Sequence, residues 1–162
     1  MSLFARPPTT TQADRADPEA AYNAAVREQG PLPVFFGAVV DEMLGMASGD
    51  DAAAFLRLVG AHMAREMNLA AVETLEALEA AMNTQLTPRR WGWVKLTEVE
   101  AGIRIRHGGL PFHLSSAAGQ AAAALLEGLY GHWLSHAGGG ADLKARHTGA
   151  GTGEAIELVY GR

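Results

Sequence analysis

The sequence predicts an α+β domain in which N-terminal helices are followed by a β-hairpin, a long helix and a second β-hairpin. A small antiparallel sheet then packs against helices. Two changes of rhythm predict this. Apolar residues recur at helical spacing from Phe36 to Leu86 and again from 116 to 135, but alternate at every second position from Trp91 and again from Leu143. Size adds a third observation: 162 residues, 48% of them hydrophobic, are enough for one domain with its own core.

Residues 1–16 are rich in Pro, Thr, Asp and Ala, and have too few large apolar groups to offset the entropy of ordering them. A flexible arm is expected there. Asp17 has the character of an N-cap, Pro18 suits the first helical position, and Gly30-Pro31 forms a stop, which outlines a short helix with Tyr22 and Val26 on one face. Such a helix is too short to persist undocked. The expected organisation is therefore an arm with a short helix over 1–30 and a single α+β domain over 31–162.

Three longer helices follow. Phe36, Val40, Met43 and Leu44 mark the first, Ala52, Phe55, Leu56, Val59 and Met63 the second, and Val72, Leu75, Leu78, Met82 and Leu86 the third. Ser48-Gly49-Asp50 and Asn68 supply the punctuation, and Arg65, Glu73 and Glu76 fall on solvent faces. Val94 and Leu96 then alternate with Lys95 and Thr97, and Ile103 and Ile105 with Arg104 and Arg106, across a Glu-Ala-Gly turn. A fourth helix over about 116–135 presents Leu125, Leu126, Leu129 and Trp133 to the core, with Ser115-Ser116 as its cap. Leu143 and Ala145 are expected to pair with Ile156 and Leu158. Gly149, Gly151 and Gly153 join those two strands. A phosphate cradle needs its glycines between a strand and a helix, so a hairpin turn is the better reading.

Composition narrows the function classes. A net charge of −5 with no basic run argues against nucleic acid as a partner. The absence of Cys removes thiol nucleophiles, thiolate zinc sites and disulfides. The opening residues lack the pattern of a secretory signal, and the most apolar run, Ala117 to Leu134, is broken by Gln120, Glu127 and His132, so a soluble, cytoplasmic protein is expected. No nucleophile elbow occurs, and the carboxylates lie on helix flanks, caps and turns rather than in a facing pair, so no enzymatic activity is expected.

His132 and His136 have the four-residue helical spacing that can offer two imidazoles to a metal. No Glu follows the first His, and a third ligand such as His107, His113 or His147 cannot be placed from the sequence. A partly exposed helix flank is favoured, and no metal or other cofactor is expected. Trp91, Trp93, Tyr130 and Trp133 hold much of the aromatic area, which suits core or subunit interface more than stacking against a sugar ring.

Two strings go beyond generic pattern: Trp91-Gly-Trp-Val-Lys-Leu96, and Leu126-Glu-Gly-Leu-Tyr-Gly-His-Trp133. With Gly60 to Arg65, the approach from Asn83, and Ile103-Arg-Ile-Arg-His107 leading to Leu110-Pro111, they make residues 50 to 136 resemble the D-subunit family of bacterial cellulose synthase. That family typically carries Tyr at the position of Trp93 and Arg at that of His132. The resemblance implies a non-enzymatic subunit that assembles from dimers into an octamer, works with other cellulose synthase subunits at the inner membrane, and guides β-1,4-glucan toward crystalline packing. It also implies N-terminal segments lining glucan passages, which would give Thr9, Thr10, Thr11 and Gln12 a role in glucan contact. Without a signal sequence, the version favoured here is a cytoplasmic scaffold peripheral to that machinery, with a proline-rich scaffold protein as partner. The rival from another class is a small-molecule or metal-binding sensory domain using the helix that carries His132 and His136.

Overall fold

The computed structural model describes residues 32–110, 116–140, 142–149 and 155–162. The arm, its short helix, Thr9, Thr10, Thr11 and Gln12, and Gly151 and Gly153 of the second turn lie outside the described residues. In chain order the elements are α1 (Leu32–Met46), α2 (Gly49–Glu66), α3 (Leu75–Leu86), a short 3-10 turn (Thr87–Arg89), β1 (Trp93–Val99), β2 (Gly102–Gly108), α4 (Ser116–His136), β3 (Lys144–His147) and β4 (Ala155–Gly161). The fold is α+β: helices, hairpin, helix and hairpin, with the strands in one antiparallel sheet ordered β1-β2-β4-β3.

Local chemistry sets the helix starts. Ser48 caps α2: its hydroxyl accepts from the Asp51 amide at 3.2 Å and donates to the Asp51 carboxylate at 2.7 Å. Asp50 and Asp51 also place negative charge in the first turn, where the helix dipole favours it. Thr74 caps α3 by accepting from the Ala77 amide at 3.1 Å. That cap begins the helix at Leu75. Val72, expected inside the helix from its spacing, lies instead in the preceding loop, half-buried against the core.

The packing of α2 departs from its apolar periodicity. Its buried residues are Ala52, Leu56, Gly60 and Ala64, while Phe55 and, on α1, Leu44 are exposed although their spacing puts both on core faces. The reason is the crossing with α4. A β-carbon on Gly60 would overlap the Leu125 carbonyl, and one on Gly128 would overlap the Arg57 carbonyl, so the two backbones meet directly through reciprocal glycines. Only a stripe of small residues permits this approach, and it turns the bulky Phe55 aside. Arg57 and Glu127, 2.6 Å apart, flank the crossing.

The sheet places Val94, Leu96, Ile105, His107, Ala145, Ile156, Leu158 and Tyr160 on its buried face, beneath α3 over β1 and α4 over β3 and β4. The second hairpin has a different register from the expected one. Leu143 precedes β3, Ala145 lies opposite Tyr160, His147 opposite Leu158, and Ile156 pairs with His107 of β2. The shift is even, so the same side chains still face the core. Alternation alone fixes the face of a strand and not its partner.

Both sheet edges are occupied by side chains. On β1 the Val94 amide donates to Asn83 Oδ1 at 2.9 Å, Asn83 Nδ2 donates back to the Val94 carbonyl at 2.9 Å, and the Leu96 amide donates to Glu79 at 2.7 Å. On β3 the His147 amide donates to Glu127 at 2.7 Å. These contacts cover backbone groups that would otherwise accept another strand.

The reciprocal glycines give a stability prediction. Gly60→Ala and Gly128→Ala should each destabilise the fold by about 1–3 kcal/mol through overpacking. Gly131→Ala, in the same helix as Gly128 but with open space around the added methyl, should stabilise it by about 0.5–1 kcal/mol. Urea midpoints at matched protein concentration read both signs.

Candidate functional site

The first of the two distinctive strings surrounds a tight bend. In Trp91-Gly92-Trp93, Gly92 has φ +85°, and a β-carbon there would overlap the Gly108 carbonyl. Trp91 packs half-buried against the core. Trp93 points the other way and lies across Gly108, its direct cross-strand partner, filling the place of the missing side chain. Arg106 stacks over the Trp93 ring, its guanidinium carbon 5.7 Å from the centroid.

In the second string Leu126 and Leu129 are fully buried, and Gly128 is the contact point with α2. Glu127 clamps three elements, accepting from Arg57 of α2 through one oxygen and from the His147 amide of β3 through the other. Trp133 is buried, and its indole N–H is shared between the carbonyls of Ala64 and Met67, each at 3.1 Å. It thereby satisfies carbonyls that the end of α2 leaves open. Tyr130 is fully buried and bonds through its hydroxyl to His107 Nδ1 at 2.6 Å, their rings meeting edge to face. Tyr130 and Trp133 are thus core side chains. Of the four aromatics singled out in the sequence, Trp93 is the exposed one.

Burial holds His107 at a pKa of about 4, down from its ordinary 6.5, against a backbone hydrogen bond with Trp91 that acts in the opposite direction. Burial also raises the Tyr130 phenol well above its ordinary range. The pair is a neutral hydrogen bond inside the core. In the sequence His107 is one of several histidines without a place. The signal that could have found it is its position: it falls on the inward parity of β2, two residues after Ile105.

His132 and His136 stack with ring centroids 4.0 Å apart, and His136 Nδ1 lies 3.0 Å from the His132 carbonyl. Partial burial and the neighbouring His136 and Arg65 lower the His132 pKa. Among the described residues no group of three His, Asp or Glu comes together as a metal site. The helical hairpin α1–α2 carries a different feature. Val34, Phe35, Met46, Phe55 and Leu58 are all more than half exposed on it, and an apolar groove of about 290 Å³ lined by Val40, Met43, Ala53 and Leu56 opens beside them. No helix among the described residues is long and apolar enough to cross a membrane.

Residues 18–161 match the family model for the D-subunit of cellulose synthase. The chain belongs to that family. It is 36% identical over 101 residues to a cellulose synthase operon protein D of Komagataeibacter xylinus, and equally to one of Komagataeibacter sucrofermentans. Each alignment covers 59% of this chain and 62% of the relative. As a member of the D-subunit family, the chain devotes both of its diagnostic strings largely to architecture: close backbone approaches, a buried hydrogen-bonded pair, a helix-end cap and an edge clamp.

The His107–Tyr130 pair gives this D-subunit fold a pH dependence. The folded pKa of His107 lies below the unfolded value, so the unfolded chain takes up the proton first. The stability this group contributes is complete above pH 6.5 and is lost as pH falls toward 4. Over that window the unfolding free energy of the wild type should fall more steeply than that of His107→Gln, by at most about 1.4 kcal/mol per pH unit. Urea titrations of the two proteins across the window measure the difference.

Proposed function

We propose that the chain is a non-enzymatic, self-assembling accessory subunit of a bacterial cellulose synthase complex, acting as a scaffold that organises glucan export and crystalline packing. Family membership supports the link to cellulose synthesis. The observation that carries the scaffold reading is the apolar face of α1–α2. Large apolar side chains such as Phe35, Met46, Phe55 and Leu58 stand exposed to water on the isolated chain, all on these two helices, and exposed apolar side chains of that size are what subunit interfaces cover. The octamer built from dimers is what the resemblance to the family implies, and a closed symmetric assembly of that kind would cover such side chains on every copy.

Within this reading the protein stands in the cytoplasm beside the membrane machinery, with other synthase subunits and a proline-rich scaffold protein as partners. A second reading, in which the arm with Thr9, Thr10, Thr11 and Gln12 makes weak hydroxyl and amide contacts to sliding glucan, requires the subunit to meet chains already exported rather than to stand in the cytoplasm. A polymer that must move through a passage is held better by many weak groups than by one tight pocket.

Native mass spectrometry of the full chain tests the assembly. An octamer is expected for the wild type, and a smaller species for Phe55→Glu/Leu58→Glu, with the near-ultraviolet circular dichroism of the fold retained. A monomeric wild type, or a double variant with unchanged mass, would overturn the role given to this face. The arm has its own test. Deleting residues 1–30 should leave the native mass unchanged and lower the crystalline order of cellulose made by cells carrying the truncated protein, read by X-ray diffraction of the product.

A further inference from the structure

The solvent face of the sheet carries a charge opposite to that of the protein as a whole. The strand registers place Lys95 opposite Arg106, Thr97 opposite Arg104, and both Arg104 and Arg146 opposite Val159, so these side chains share the face turned away from the helices. Lys144 belongs to the same face of β3. Lys95, Arg104, Arg106, Lys144 and Arg146 are all exposed, and Glu157, opposite Arg106, is the one carboxylate among them. The ion pair found among the described residues, Arg57–Glu127, uses none of them. Lys95 directly opposite Arg106 is a like-charge pair, which costs a sheet stability; Glu157 on the other side of Arg106 offsets one of the two charges and leaves the face with an excess of cations. The helical layer has the reverse balance: Asp41, Glu42, Asp50, Asp51, Glu73 and Glu76 are all exposed there, in a chain of net charge −5.

We propose that this sheet face docks on an anionic lipid surface, with Trp93 at its rim. The pattern fits a membrane better than an acidic peptide for three reasons. The cations are spread over three strands rather than converging on one point, which matches a diffuse field of headgroups. Trp93, 43% exposed and held by Gly108 and Arg106, is the amphipathic side chain that settles at headgroup depth. Finally, a peptide cannot join the sheet as an added strand at the β1 positions covered by Asn83 and Glu79, or at the β3 position covered by Glu127. The acidic helices are repelled from the same surface, so the face that binds also sets the orientation.

Each Lys or Arg near an anionic bilayer contributes roughly fivefold to partitioning. One chain binds weakly, and an assembly presenting several such faces binds tightly through multivalency. This last step rests on the self-assembly proposed above; the preference of the face for anionic lipid does not.

The test is co-sedimentation of the full chain with phosphatidylcholine vesicles, with or without phosphatidylglycerol, at low and high salt. Binding should require phosphatidylglycerol and vanish at high salt. Lys95→Gln/Arg104→Gln/Arg106→Gln should partition about 100-fold less, while Arg65→Gln, outside the face, should behave as wild type. Equal binding by the triple variant, or no preference for anionic vesicles, would overturn the proposal. So would retention on immobilised polyglutamate without any vesicle binding, which would make the partner an acidic polypeptide. Native mass measured on the same samples keeps this outcome separate from that of the assembly: a monomer with full anionic preference would sink the scaffold and leave the docking face standing.

Discussion

The rest of the fold depends on the contact between α2 and α4, where Gly60 and Gly128 each receive a carbonyl of the opposite helix. With the helices this close, the Trp133 indole reaches the Ala64 and Met67 carbonyls, Arg57 reaches Glu127, and Glu127 reaches on to the β3 amide. Moving the helices apart by one methyl would strain all of these, because packed interiors relax only partly. The same closeness has a cost elsewhere. The buried stripe of α2 is made of small residues around one leucine, Leu56, and two of the large apolar groups of the helix, Phe55 and Leu58, are left exposed. The exposed patch on which the assembly reading rests is thus a consequence of how tightly the core helices meet.

Much of this is legible in the sequence. Helix and strand periods separate cleanly, so the order of elements and the α+β class follow from pattern alone, and the two diagnostic strings point to the family. What periodicity does not record is distance. Phe55 has the spacing of a core residue and is exposed, because the face that α2 turns to α4 is the one carrying Ala52, Leu56, Gly60 and Ala64, a choice of face that is visible in three dimensions. The register of β3 against β4 is equally hidden, since an even shift preserves every inward side chain. Val72 fits the helical repeat, yet Thr74 offers the cap, and capping outweighs spacing at a helix end.

The site residues are legible to different degrees. Tyr130 and Trp133 stand out for their chemistry and prove to be core, because each has its one polar atom satisfied there, by His107 and by the end of α2. Trp93 stands out in the same way and is exposed, because its strand parity turns it outward over a glycine that needs covering. His132 and His136 have metal spacing, but Arg65 stands close to His132, and among the described residues no third ligand joins the two imidazoles. The cationic sheet face has no single-residue signal at all. It arises when register sets Lys95, Arg104, Arg106 and Arg146 side by side from strands distant in sequence.

The covered sheet edges bear on how a protein of this kind behaves when crowded. Chains concentrated at one place in a cell meet one another repeatedly, and open strands meeting in that way can seed fibres that never redissolve. Here Asn83, Glu79 and Glu127 occupy the amides that would start such a fibre, so encounters between copies are left to side-chain surfaces that can let go. Reversibility of that sort allows a misplaced copy to leave and try again, which is the condition under which an ordered particle outgrows a tangle.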